Sequence, residues 1–287
     1  MTSVIVFGNN FQDNSLSYIE KLLATLCRCE VPTMVERSFF DYINGRITVP
    51  AEISCYDGGD PGSDTLALSI GGDGTFLRTA AMVLDYGLPV MGVNAGHLGY
   101  LSAAPISDVE QIVDHIVTGN YNIIDRTMVE VEVPGRETLY GLNEVAVLKL
   151  DTASMITAST TVNGFFLANY QGDGLIVSTP TGSTGYAVSV GGPIVAPTAP
   201  VFVIAPVATH SLTMRPMVVS DSAVIEIMTT SREESFLLSV DGRSMSLPVA
   251  TPLTIRKAPF VTKMVTLPFH NFAETLRVKL LWGVDPR

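Results

Sequence analysis

Leu66-Ala67-Leu68-Ser69-Ile70-Gly71-Gly72-Asp73-Gly74-Thr75 reads as an apolar strand that stops at a glycine pair and then turns into a helix. Residues 76–86, rich in Ala, Leu and Met and closed by Gly87, supply the helix; Leu88-Pro89-Val90-Met91-Gly92-Val93 supplies the next strand. Upstream, Val4-Ile5-Val6-Phe7 is a short strand, and Leu16, Ile19, Leu23 and Leu26 recur at helical spacing with Asn14 or Ser15 as N-cap. Downstream, Ser107 with Glu110 predicts a capping box for a helix whose apolar face is Val109, Ile112, Val113, Ile116 and Val117, ended by Gly119. Strand and helix in alternation imply a parallel sheet covered by helices, so residues 1–125 are expected to form a Rossmann-like α/β domain.

From Met128 the period changes. Val129, Val131 and Val133 alternate with Glu130 and Glu132, a strand with one wet face. Short Val-, Ile- and Thr-rich runs follow at 144–150, 156–162, 165–170, 175–178, 223–228, 236–240 and 253–256, punctuated by Gly, Pro, Asn and Ser. Residues 126–268 therefore read as an all-β, sandwich-like domain. A last helix is expected within 269–287, over 271–282, folding back on the first domain.

The chain has 287 residues, 47% of them hydrophobic and 16% charged, enough apolar material for a sizeable core. Its net charge of −11 and the lack of any basic run argue against nucleic-acid or membrane partners, whose anionic surfaces favour Lys/Arg clusters. Cys27, Cys29 and Cys55 form an odd set without CxxC spacing, which fits a reducing compartment. With no charged n-region ahead of the first strand, a cytoplasmic protein is expected. His97, His115, His210 and His270 show no metal-ligand spacing.

The 71–75 turn carries the chemistry. It sits at the carboxyl edge of a strand, where open α/β sheets bind ligands. Glycines let backbone N–H groups face one concavity, and the helix N-terminus adds roughly half a positive charge, so phosphate is the natural guest. GxxxxGK[ST] is absent, and the GxGxxG pattern begun by Gly72 fails at Leu77. Asp73 decides the reading: a carboxylate beside phosphate is unfavourable unless it binds a metal or takes a proton, and a kinase needs a group to deprotonate the attacking hydroxyl. The plainer alternative is a tight turn in which Asp73 caps the helix.

A second constellation begins at Asp173-Gly174 and runs through Ser178-Thr179-Pro180-Thr181-Gly182-Ser183-Thr184-Gly185-Tyr186. Its small polar groups and one aromatic face suit a polar heterocycle, and equally an ordinary sheet-crossing loop. No GxSxG elbow is present. Asn143-Glu144 opens another strand and by itself reads as solvated strand-edge residues.

Taken as a set, these motifs resemble the NAD kinase family. The set comprises the 71–75 turn, Asn94-x-Gly96-His97-Leu98-Gly99-Tyr100-Leu101, Asn143-Glu144, the run from Asp173 to Thr184, and Gly191-Gly192-Pro193-Ile194. His210-Ser211-Leu212, Arg215-Pro216, Asp241-Gly242 and residues 276–283 are also similar, so the resemblance covers essentially the whole chain. The GGDGT turn alone is shared with lipid kinases, and a diacylglycerol- or sphingosine-type lipid kinase is the alternative.

The resemblance implies transfer of the γ-phosphate of ATP to the 2′-hydroxyl of the adenosine ribose of NAD, giving NADP. Asp73 would accept the hydroxyl proton, while Gly71, Gly72, Gly74 and Thr75, with Arg78 one turn on, would hold donor phosphates. Asp73, Gly74, Tyr100, Asn143, Glu144, Asp173, Thr181, Thr184, Gly185, Tyr186 and Ser189 would bind NAD. Of these, Asn143 and Glu144 would grip the adenosine, residues 184–189 would line the adenine pocket, and Asp173 would meet the nicotinamide amide. Mg²⁺ or another divalent cation would arrive with ATP rather than sit in a protein cage. A homodimer or homotetramer with its active site between the domains is also implied. Gly185 departs from the family's usual Ala, and Ala187 from its usual Ser. Gln171, where dual NAD/NADH kinases tend to have Gly, hints at NAD over NADH.

Overall fold

The computed structural model describes residues 2–10, 13–96, 99–150, 154–268, 272–280 and 283. They form two compact units, Met1–Asp125 with Thr262–Arg287, and Arg126–Val261.

In the first unit, strands Ser54–Tyr56, Thr33–Glu36, Ser3–Phe7, Thr65–Ile70 and Val90–Asn94 lie side by side in that order, all parallel. Met264 and Val265, at the end of the long strand Leu253–Thr266, continue the sheet beside Val90 and Met91. Sequence order reverses between Ser3–Phe7 and Thr65–Ile70, and at such a switch point the loops of an open sheet part to leave a crevice. The Asp73–Met82 helix starts there. Thr65–Ile70 is buried throughout, as expected of a strand covered on both faces.

Helix Leu16–Arg28 presents Ile19, Leu22, Leu23 and Leu26 to the core with no exposed surface, each worth about 1.5–3 kcal/mol. It packs with helix Val109–Thr118, whose Val109, Ile112, Val113 and Ile116 enter the same cluster. Ser15 is the N-cap as expected, yet its hydroxyl donates to the Ala95 carbonyl instead of capping the helix. The Ser107/Glu110 capping box does not form. A 3₁₀ turn, Ile106–Asp108, precedes the helix, Asp108 becomes the N-cap, and the Ser107 hydroxyl donates to the Asp108 carboxylate. Gly119 ends the helix with φ +67, as its position required. The final helix spans Phe272–Leu280, with residues 271 and 281–282 of its expected span outside the described residues, and belongs to this first unit.

The second unit is a β-sandwich. One antiparallel sheet runs Met217–Ser220, Val201–Val207, Gly174–Ser178, Glu144–Lys149, Ser235–Val240, Arg243–Pro248. The other includes Phe165–Gly172, Ile156–Val162, Ile225–Ser231 and the first part of Leu253–Thr266. Alternate residues of both sheets point inward. Val145, Val147, Leu175, Val177, Phe202, Ile204, Phe236 and Leu238 meet Ile156, Ala158, Ile225, Ile227, Leu253 and Ile255 in one cluster. Fold class thus agrees with the sequence: α/β followed by all-β, with a returning helix.

Candidate functional site

The candidate residues fall into one group in each unit. In the first, Gly71 closes its strand with φ +150 and donates its N–H to the Val93 carbonyl. Gly72 is the N-cap of the following helix, and Asp73, not residue 76, is its first residue. That rules out a cap role for the Asp73 side chain. Its carboxylate leaves the helix and accepts the backbone N–H groups of Tyr100 (3.0 Å) and Leu101 (3.1 Å). A Cβ on Gly99 would stand 2.1 Å from Asp73 Oδ1, so any side chain there would displace the carboxylate. At Gly72 and Gly74 a Cβ would meet nothing within 4 Å, so the turn faces open space. The Thr75 N–H already donates to the Gly72 carbonyl at 3.0 Å, whereas those of Gly72, Asp73 and Gly74 have no intrahelical acceptor, which leaves them to an anion.

Neighbouring strand ends brace this turn. Asn9, just past the first strand, donates through Nδ2 to the buried Thr75 hydroxyl at 3.0 Å. The Arg78 guanidinium donates to the Gly8 carbonyl across the switch point, while the residue stays exposed to solvent. Tyr100 keeps a buried hydroxyl with no partner among the described residues. Burial, and secondarily the Asp73 carboxylate, push its phenol above the ordinary value, so it stays neutral. Lys279, from the final helix, places its ammonium 5.2 Å from the Tyr100 ring centre. Asn9 and Lys279 escaped the sequence reading, since neither lies within a glycine turn. His97 and Leu98 lie outside the described residues.

The second group gathers on the second unit. Leu142, Asn143 and Glu144 make a tight bend before the Glu144–Lys149 strand, with the 3₁₀ turn Thr181–Thr184 packed on it. Thr179 links the two, donating its hydroxyl to the Leu142 carbonyl at 2.5 Å and its N–H to the Asn143 carbonyl at 2.8 Å. A Cβ on Gly182 would lie 2.1 Å from that same Asn143 oxygen, so this contact demands glycine. Asn143 Oδ1, Glu144 Oε2 and Thr181 Oγ1 are all buried without a hydrogen-bond partner among the described residues. Such atoms cost free energy until a ligand or water satisfies them. Burial first, and then the nearby Asp241 carboxylate, raise the Glu144 pKa to about 7, partly offset by the Tyr186 backbone N–H.

At Gly185, a methyl would stand 3.2 Å from Glu144 Oε2 and 3.4 Å from Asn143 Nδ2. Glycine therefore leaves slightly more room at this corner than the family's alanine. Thr184 donates to the Thr181 carbonyl, and Tyr186 and Ser189 lie exposed on the one-turn helix Tyr186–Ser189. Asp173 stands apart from these contacts, its carboxylate paired with the Lys149 ammonium at 2.7 Å. The expected sheet-crossing loop is thus a 3₁₀ turn followed by one helical turn.

A turn that offers helix N–H groups beside a carboxylate, and a corner with unpaired amide, carboxylate and hydroxyl oxygens, are the two halves of a nucleotide kinase's needs. Family models for the ATP-NAD kinase N-terminal and C-terminal domains match residues 61–121 and 142–267. An NAD kinase of Cytophaga hutchinsonii is 39% identical, with 98% of each chain covered. The chain belongs to the NAD kinase family. An NAD kinase of Porphyromonas gingivalis is 38% identical over the whole of both chains. Among solved structures, a yeast NADH kinase complexed with NADH shares the fold at TM-score 0.90 with 20% identity, covering 100% of this chain and 89% of that one. An Archaeoglobus fulgidus NAD kinase in complex with ATP aligns at TM-score 0.70 and 26% identity, covering 98% and 99%. A lipid kinase shares only the GGDGT turn, so the match over 142–267 sets that alternative aside.

Among the described residues no three His, Cys, Asp or Glu side chains gather as a metal cage. None of the described helices is long and apolar enough to cross a membrane.

Proposed function

We propose that this NAD kinase family member transfers the γ-phosphoryl group of ATP to the adenosine 2′-hydroxyl of NAD, with Asp73 as proton acceptor. The 2′-oxygen attacks the γ-phosphorus, the bond to the β-phosphate oxygen breaks, ADP leaves, and the hydroxyl proton passes to the Asp73 carboxylate. The observation that carries this reading is the way Asp73 is held. Two backbone N–H groups orient a carboxylate that stands at a helix start open to phosphate. Those donors leave further lone pairs for a hydroxyl.

Gly71, Gly72, Gly74 and Thr75 take donor phosphates, with the N–H groups of Gly72 and Gly74 and the helix dipole supplying the positive field and Arg78 adding charge. A divalent cation such as Mg²⁺, held by the triphosphate oxygens, would neutralise charge on the transferred group. On the second unit, Asn143 and Glu144 hold the adenosine ribose and base, while Thr181, Thr184, Gly185, Tyr186 and Ser189 line the adenine. Tyr100 offers a ring face, and Asp173 serves the nicotinamide amide. Gln171 favours NAD over NADH. A homodimer or homotetramer in a reducing cytoplasm completes the reading, and the three free thiols suit it.

The test is incubation with NAD, ATP and Mg²⁺, followed by an NADP-specific cycling assay, on wild type and Asp73→Asn. Wild type should form NADP; the variant should lose about 10²–10⁴-fold in kcat while still binding NAD. NADP at blank level in wild type would remove the reading, and full turnover by the variant would remove the role of Asp73.

A further inference from the structure

Asp241 is the first residue of a two-residue hairpin between strands Ser235–Val240 and Arg243–Pro248, where Val240 pairs with Arg243. Both loop residues have positive φ, +48 at Asp241 and +80 at Gly242, the backbone of a type I′ turn that Asp-Gly and Asn-Gly favour. A hairpin of this kind needs nothing further from its aspartate. Here, however, the side chain turns away from its own loop. Oδ2 accepts the N–H of Leu142 at 2.6 Å, and Oδ1 accepts those of Asn143 (2.9 Å) and Glu144 (3.1 Å). The Asp241 N–H donates in turn to the Glu144 carbonyl at 3.2 Å. Four hydrogen bonds thus join one turn residue to one three-residue bend about a hundred positions away in sequence. The approach is close enough that a Cβ on Gly141 would stand 2.9 Å from Val240 Cγ1 and 3.1 Å from Asp241 Oδ1.

We infer that Asp241 is a positioning residue for NAD: its carboxylate fixes the Leu142–Asn143–Glu144 bend, so that the unpaired side-chain oxygens of Asn143 and Glu144 are set in place before the adenosine arrives. Asn143 Oδ1 and Glu144 Oε2 have no hydrogen-bond partner among the described residues, so apart from the Tyr186 N–H that bonds the Glu144 carboxylate, their placement depends on the backbone beneath them. Three converging N–H groups form a concavity that suits an anion, and a neutral side chain cannot accept all three as well. The arrangement carries a second consequence. Two carboxylates share this buried corner, and each raises the cost of charging the other. Asp241 lies above its ordinary carboxylate value through burial, with its three N–H donors and Arg243 pulling it back. Glu144 is raised by burial and by Asp241, with the Tyr186 N–H pulling it back. Removing the charge of Asp241 therefore lets Glu144 ionise at lower pH.

This inference rests on the adenosine reading of Asn143 and Glu144, so the test separates the two. Asp241→Asn keeps a residue at home in the I′ turn, and it should raise KM for NAD tenfold or more with kcat changed less than threefold. The acid limb of kcat/KM against pH should move to lower pH. An unchanged KM with an unmoved limb overturns the inference, even where the melting temperature falls. Glu144→Gln is run alongside: if it leaves KM for NAD unchanged, the adenosine assignment fails, whereas a raised KM there with none in Asp241→Asn removes only the role of Asp241. Amide exchange on the wild-type protein covers a variant that does not fold. The Leu142, Asn143 and Glu144 N–H groups should be protected without NAD and lose that protection in acid. Exchange at loop rates in the free protein overturns the inference.

Discussion

Alanine at Gly99 is the sharpest perturbation the structure offers, because it strikes Asp73 without altering any group that takes part in the chemistry. The new Cβ would stand 2.1 Å from Asp73 Oδ1, and ordinary contact begins at 3.4 Å, so one of them must yield by about 1.3 Å. Tyr100 and Leu101, the next two residues, are the ones that hold the carboxylate, so pushing the two apart strains both hydrogen bonds. A misplacement of about 1 Å costs on the order of 10²-fold in rate. That corresponds to about 2.7 kcal/mol at the transition state. Weakening the two charge-assisted bonds should also destabilise the fold by roughly 1–3 kcal/mol, less than their full worth because Asp73 is only half-buried. Initial rates of NADP formation against NAD at saturating ATP should show kcat down about a hundredfold. Calorimetric titration with NAD should show Kd within a few-fold of wild type, since the Asn143-Glu144 corner proposed to hold the adenosine is untouched. A kcat within threefold of wild type would refute the claim that Asp73 must stay where those two N–H groups hold it.

Glu144→Gln should flatten part of the pH dependence of stability. The carboxyl has its pKa raised to about 7 in the folded protein, from 4.5. Its contribution is therefore fully present below pH 4.5 and is lost as pH rises through 7, up to about 3 kcal/mol in all. Urea melts at pH 5 and pH 8 should differ more for wild type than for the variant; equal differences would contradict the burial argument. Gly182→Ala drives a Cβ to 2.1 Å from the Asn143 carbonyl, a backbone atom that cannot swing aside. Destabilisation of about 3 kcal/mol or more, read by denaturant melts, is expected, and a loss under 1 kcal/mol would mean the two turns separate easily.

Much of this was legible in the sequence because it is local. Strand-helix alternation, the 3.6-residue period of the Leu16–Arg28 helix and the period-two valines each declare an element within a dozen residues. The short pieces were not. Strands Thr33–Glu36 and Ser54–Tyr56 and the helix Arg37–Ile43 are too brief to show a period, and their pairing partners, not their composition, make them regular.

Local pattern in the sequence was enough for the two-part fold, the family, and the glycine turn that carries a carboxylate. Only the tertiary structure decided what holds that carboxylate and what holds the second corner. Asp73 depends on amides at 100 and 101, and the Asn143-Glu144 bend on an aspartate at 241. Each contact joins backbone N–H groups, which every non-proline residue carries alike, to a carboxylate far away along the chain. No residue pattern marks which amides will be used, and folding alone brings donor and acceptor together.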